Sequence, residues 1–178
     1  MKSKILIVIL VLSSFSLTAQ TKKYLNLNLL GTVGVVGVSF DSRFSENSKF
    51  GYTVGLGYGL ESHKSAHLYL TPVKAYYPED GRVNNVVSAP MNVHYLIGNN
   101  KYLLELGIGL APFYTDYSIG EGTQRFGCFT FGRIAYRYES DTKPWLFSIG
   151  LDLPFFTSGG RGFYFVDIAP SIAIGYRF

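Results

Sequence analysis

Hydrophobic and polar positions alternate along most of this chain with a period of two, the mark of strands whose two faces meet different surroundings. The C-terminal stretch shows it best, with Ile172, Ile174, Tyr176 and Phe178 on one face and Ser171, Ala173, Gly175 and Arg177 on the other. The same rhythm puts Trp145, Phe147, Ile149, Leu151, Leu153 and Phe155 opposite Leu146, Ser148, Gly150, Asp152 and Pro154. It recurs with Tyr102, Leu104, Leu106 and Ile108 opposite Leu103, Glu105 and Gly107, and with Val36, Val38 and Phe40 opposite Gly37, Ser39 and Asp41. Val87 to Tyr95 and Phe50 to Gly59 follow suit.

The second face is the informative one. A soluble sandwich turns its large apolar residues inward and its charges outward. Here the non-aliphatic face is mostly Gly, Ser, Ala and Asn with few charges, a poor water-facing surface but a good filling for a narrow barrel whose apolar face meets lipid. Aromatic residues supply a second sign, because they gather in belts at membrane interfaces. Phe44 and Phe50, Tyr95 and Tyr102, Tyr138 and Trp145, and finally Tyr176 and Phe178 flank short turns or the chain end and mark one rim. Tyr58, Tyr114, Phe126, Phe155 and Tyr164 stand by the longer segments and mark the other.

These signals predict an all-β, closed, antiparallel up-and-down transmembrane barrel of eight strands, near 24–30, 34–44, 49–61, 86–97, 101–114, 125–138, 145–156 and 163–178. The count requires Gly31-Thr32-Val33-Gly34 to be a tight turn. The segment 67–77 is the alternative barrel strand; its poor alternation assigns it to a β-rich surface excursion.

The first twenty residues change the picture of where the chain lives. Lys2 and Lys4 precede an unbroken apolar run from Ile5 to Leu12 and a small, polar stretch ending near Ala19, the pattern of a secretory signal peptide. Residues 1–19 are thus expected to be removed, leaving 20–178 as the barrel domain. The apolar run is too short to span a bilayer, which takes about 20 residues. Of 16 basic residues the leader takes two and none of the 12 acidic ones, so the formal charge falls from +4 to +2 and gives no sign of nucleic acid as a partner. With 47% hydrophobic, 16% aromatic and only 16% charged residues, disorder and coiled coil are excluded. The single cysteine, Cys128, forbids an internal disulfide framework and reads as a structural thiol.

The segments FGYTVGLGYG (50–59), YLIGNNKYLLELGIG (95–109), AYRY (135–138) and the terminal IGYRF (174–178) together resemble the small outer-membrane β-barrel proteins, the OmpA-type transmembrane domain and the porin-family eight-stranded barrels. The resemblance covers about 24–178, and the long 62–86 segment departs from it. It implies a location in the cell outer membrane, with outer-membrane lipid as surroundings and both termini periplasmic. It further implies that Ile174, Tyr176 and Phe178 form the C-terminal signal read by the barrel-assembly machinery.

Two constellations hold residues able to do chemistry. The first is the set of inward charges: Glu105, Asp152 and Asp167 against Arg177 and, where the sixth strand keeps its even face outward, Arg133 and Arg137. An eight-stranded lumen is filled by side chains, and an unpaired buried ion costs several kcal/mol, so these groups are expected to pair into a plug. That register turns Phe129 and Phe131 inward, and a bulge near Gly132 would alter it. The second is the segment with Glu61, Ser62, His63, Ser65 and His67, the residue types of a hydrolase; spacing alone does not make a triad, and a polar loop is the expectation. His94 is expected to be a hydrogen-bonded lumen group. No cofactor or metal is implied. The functional expectation is a non-enzymatic barrel acting structurally or through its loops on an unidentified extracellular ligand; the alternative is an outer-rim lipid-modifying enzyme or a passage for small hydrophobic molecules.

Overall fold

A computed structural model describes residues 21–62, 83–98, 101–115, 126–140, 142–158 and 168–178. Its strands are β1 (Lys23–Leu30), β2 (Val36–Arg43), β3 (Phe50–Ser62), β4 (Val83–Ser88), β5 (Met91–Ile97), β6 (Tyr102–Thr115), β7 (Phe126–Glu139), β8 (Trp145–Ser158) and β9 (Ala169–Arg177), with a 3-10 turn at Gly31–Val33. Every pairing is antiparallel, and β1 pairs with β9 from Tyr24↔Arg177 to Leu30↔Ser171, which closes the sheet on itself.

Strands β4 and β5 both lie between β3 and β6. The register Val54↔Met91 continues as Gly57↔Ser88, so the two are one stave interrupted at Ala89-Pro90. Proline has no N–H to give to a ladder. The gap is bridged by Gly55 N–H donating to Pro90 O and Ala89 N–H to Pro112 O, both 2.8 Å. Eight staves therefore make the closed barrel, which is the architecture that the alternation predicts; the interruption at Pro90 is a detail that a continuous 86–97 strand omits.

The alternation is realised physically as an apolar exterior. On β6 and β8, Ile108 is 63% and Ile149 60% exposed, while Leu103 and Glu105 on β6 and Leu146, Ser148 and Asp152 on β8, at the alternate positions, are buried. On β7 the even residues Ile134 and Tyr136 point out, and Phe129, Phe131 and Arg137 are buried inside. The bulge lies at Thr130/Phe131, where Thr130 pairs with Phe156 and Phe131 with Pro154. Its extra residue is Phe155 on β8, so β7 keeps one parity throughout and the shift expected near Gly132 falls on the neighbouring strand.

Both described chain ends, the connection 44–49 and the strand ends at Ile97, Tyr102, Glu139 and Trp145 share one end of the barrel, the turn end. There the aromatic rings meet pairwise: Phe50 and Tyr95 at 4.7 Å, Tyr102 and Tyr138 at 5.3 Å, Trp145 and Tyr176 at 5.4 Å, Phe40 and Phe178 at 6.3 Å between centroids. At the opposite, loop end Tyr114 and Phe126 pair at 4.9 Å. The segment 67–77, Tyr164, Asp167 and the start of the 163–178 strand lie outside the described residues.

The β1–β2 connection is the exception among the loop-end connections. It is short, and Gly31, Thr32, Val33 and Gly34 are all buried. The β2–β3 ladder stops at Val36↔Tyr58, whereas β3 runs on to Ser62 against β4. The turn therefore folds below the loop-end rim, into the lumen.

Candidate functional site

Among the described residues, the lumen is where the fold gathers charged groups. Strand β7 contributes Arg133 and Arg137, four residues apart and so on the same face of a strand. From β6 comes Glu105, from β2 Asp41 and Arg43, from β8 Asp152, and Glu139 closes β7. Counting β4 and β5 as one, β2 and β7 are opposite staves, and the side chain of Arg137 crosses the lumen between them.

Arg137 is the hub. Its Nη2 and Nη1 donate to the two carboxylate oxygens of Asp41 at 2.8 and 2.9 Å, a bidentate fork. Nη1 also reaches Glu105 Oε2 at 3.3 Å, Nε donates to Glu139 Oε1 at 2.8 Å, and the guanidinium carbon stands 5.4 Å from the centre of the Tyr24 ring. Arg133 continues the network, with Nε donating to Glu105 Oε1 and Nη1 to Asp152 Oδ1, each at 2.9 Å. Toward the turn end Glu139 Oε2 takes Arg43 Nη2 at 2.6 Å and Lys22 Nζ at 3.6 Å. Four carboxylates thus meet four cationic groups in one connected set, within which Asp41, Glu105, Glu139, Asp152 and Arg137 are buried. Burial of unpaired ions costs several kcal/mol each, which is why so many partners converge on each group.

Above this network, toward the loop end, the lumen is apolar. Val86, Ala111, Phe113, Phe129 and Phe131 form a buried cluster, with ring centroids 6.0 Å apart for Phe113 and Phe129 and 6.2 Å for Phe129 and Phe131. Between the two tiers lies a cavity of about 50 Å³. At the turn end the network opens into a mouth of about 660 Å³ that includes Lys22, Arg43, Lys49 and Lys101.

Of the charges singled out in the sequence, Glu105, Asp152, Arg133 and Arg137 come together in this network. Arg177 stands elsewhere, half-buried at the turn end opposite Tyr24 in the β1–β9 ladder, and Asp167 lies outside the described residues. Glu61 and Ser62 end β3, while His63, Ser65 and His67 lie outside the described residues. His94 is buried, but its Nε2 is 3.8 Å from Asp41 Oδ2, too far for the hydrogen bond expected of it, and neither ring nitrogen has a hydrogen-bond partner among the described residues. It fits because Gly51 beside it has no Cβ, which would collide with the imidazole. Cys128 is a half-buried thiol whose Sγ lies 3.9 Å from Phe129 O.

Four members of the network escape a reading of the sequence for charges on the strongest alternations: Asp41, Arg43, Glu139 and Lys22. The signal for Asp41 is present, since it continues the inward face of Gly37 and Ser39, and Arg43 extends that parity by one step. Glu139 shares the parity of Arg137 but sits where the sequence reads as turn. For Lys22, ahead of β1, the pattern offers nothing.

No family model matches the chain, and no curated protein matches it in sequence. Among solved structures it is similar to a major outer membrane protein from Thermus thermophilus, with a TM-score of 0.50 and 11% identity, over 90% of this chain and 100% of that one. At that identity the likeness speaks for the fold alone, and it is the fold of an all-β, closed, up-and-down barrel.

Proposed function

We propose that this chain is a small integral outer-membrane barrel of the OmpA-type or porin-family kind, exported by its 1–19 leader, with a closed lumen and with its work done by the wall and the loop-end surface. The observation that carries this reading is the inversion of an ordinary soluble protein: large apolar side chains cover the outside and the ion pairs are inside. Monomeric soluble proteins rarely expose apolar patches beyond a few hundred Å². Here apolar residues ring every stave and aromatic rings gird the turn end, an arrangement suited to hydrocarbon flanked by interfaces. The turn end, with the chain termini, is the periplasmic side in this reading.

The closed lumen is supported by the ion-paired network that spans it between opposite staves among the described residues. The protein should therefore fractionate with outer membranes and run at different gel mobilities before and after boiling, and it should show no large, steady conductance in a planar bilayer. Recovery from the soluble periplasm would remove the membrane assignment; stable ohmic conductance would remove the closed lumen. Ile174, Tyr176 and Phe178 are proposed as the stretch read by the assembly machinery. The same fractionation of a chain lacking Phe178 should show a reduced membrane yield, and an unchanged yield would refute that role.

A further inference from the structure

The turn-end mouth of about 660 Å³ is lined from the ends of consecutive staves, β1 to β7, and its cations follow one rule of spacing. Lys22 stands two residues before the buried Tyr24, Arg43 two after the buried Asp41, and Lys101 two before the buried Leu103. Lys49 stands two before Gly51, the residue whose missing side chain makes room for His94. Residues two apart on a strand share a face, so each cation carries the lumen-facing parity of its stave to the turn end. Backbone hydrogen bonds hold them at that level: Leu96 N–H donates to Lys49 O and Glu139 N–H to Lys101 O, both at 2.8 Å, and Arg43 N–H to Lys22 O at 3.4 Å. Phe50 and Tyr102, on the opposite parity, stand on the outside of the barrel.

Two carboxylates share this mouth and do not cancel its charge. Glu139 is buried and already shared, with Oε1 taken by Arg137 at 2.8 Å and Oε2 by Arg43 at 2.6 Å and Lys22 at 3.6 Å. Glu46 is exposed on the connection 44–49. Lys49 and Lys101 are exposed, and neither has an ion-pair partner among the described residues. The stave between theirs brings Gly98 to the mouth, which adds no side chain. Neighbouring strands lie about 4.8 Å apart, so these two ammonium groups spring from backbones about 10 Å from each other and bracket a gap.

We propose that the mouth is a binding site for a soluble phosphate compound, held between Lys49 and Lys101 with Arg43 and Lys22 behind them. A cleft lined by one sign of charge focuses its field and concentrates counter-ions, and about 660 Å³ falls within the range of small-molecule sites. Three of the four cations are lysines, point charges with rotatable donors. These suit a tetrahedral, multiply charged phosphate, whereas a planar carboxylate is matched by the fork of an arginine. Arg43 has Nη2 on Glu139 and serves here by its charge. The inward parity of the four sets the source: they face the barrel axis, which opens to water, and not the apolar wall where lipid headgroups stand. The compartment that supplies the ligand is the periplasm in the reading above, while the binding itself rests on the lumen geometry alone.

The test is an NMR titration of the refolded, isotope-labelled protein in maltoside micelles with inorganic pyrophosphate, read at the backbone amides. Saturable shifts are expected at Lys49, Gly98 and Lys101 and not at Gly127 near the loop end. Raising salt from about 0.01 to 0.1 M, which shortens the screening length from about 30 to 10 Å, should weaken the binding. Lys49→Gln with Lys101→Gln should weaken it about tenfold, and Glu46→Gln, which removes the exposed carboxylate of the mouth, should tighten it about twofold. Glu46→Gln and the salt series carry the test where the double variant does not fold. A response that is absent or does not saturate in a protein of intact heat-modifiable mobility overturns the site and leaves the barrel standing; loss of that mobility in the wild type strikes the barrel instead. Equal affinity in the folded double variant overturns the assignment to these lysines. In nanodiscs of mixed phosphatidylglycerol and phosphatidylcholine the same shifts should appear. Should the three amides there be displaced already, relative to discs of phosphatidylcholine alone, and no longer respond, a lipid headgroup fills the mouth and the soluble source is overturned.

Discussion

The two halves of this lumen are built by the same alternation and filled by opposite means. Toward the turn end, Arg137 and Arg133 link Asp41, Glu105, Glu139 and Asp152 into one ion-paired set. Toward the loop end, Phe113, Phe129 and Phe131 pack with Val86 and Ala111 and need only volume. The period of two determines which side chains enter the lumen, but what each then requires depends on its chemistry. A buried carboxylate needs donors at short distances and fixed angles, so the charged half specifies which strand stands opposite which. A ring needs only space and tolerates another apolar group of similar size. On this view the turn-end half carries the register of the barrel and the loop-end half fills it.

That contrast predicts unequal responses to substitution. Glu105→Ala strips a carboxylate shared by Arg133 and Arg137 and should cost about 3–5 kcal/mol in urea unfolding in micelles followed by gel mobility, since it leaves buried charge uncompensated. A loss of less than about 1 kcal/mol, the range of exposed pairs, would mean that water screens the network and that it does not set the register. Phe129→Leu, in the same assay, should cost under about 1.5 kcal/mol, because it exchanges one buried apolar side chain for another of similar size. Should it match Glu105→Ala, the aromatic half is as exacting as the charged one and the distinction fails. The smallest effect belongs to the edge of the network. Lys22→Ala removes a contact of 3.6 Å from a side chain that is 30% exposed, and should change stability by about 0.2–1 kcal/mol, decreasing further as salt is added. A larger loss would place the turn-end mouth among the parts that hold the barrel together.

Much of this molecule is legible in its sequence because strand periodicity is a local property. The alternations around Ile108, Ile149 and Ile174 need no knowledge of neighbours to assign an outward face, and the aromatic residues beside the short turns assign the turn-end rim in the same way. The inward parity of Glu105, Asp152, Arg133 and Arg137 is local too. Pro90, by contrast, interrupts a stave without ending it, because the continuing register on both sides holds β4 and β5 in line.

Which inward charge meets which is a different kind of fact. The pair between Arg137 and Asp41 joins residues 96 positions apart on opposite staves, a contact that exists only once the sheet has closed. The sequence by itself determined strands, faces and the closed all-β architecture, since these follow from residue spacing and side-chain size. Only the tertiary structure decided that Glu139, Arg43 and Lys22 join the network. It also decided that His94 stands 3.8 Å from Asp41 and that the Gly31–Val33 turn folds inward onto Asp152. Each of these depends on distances across a lumen whose width is set by strand number and closure, quantities that belong to the whole barrel and to no segment of it.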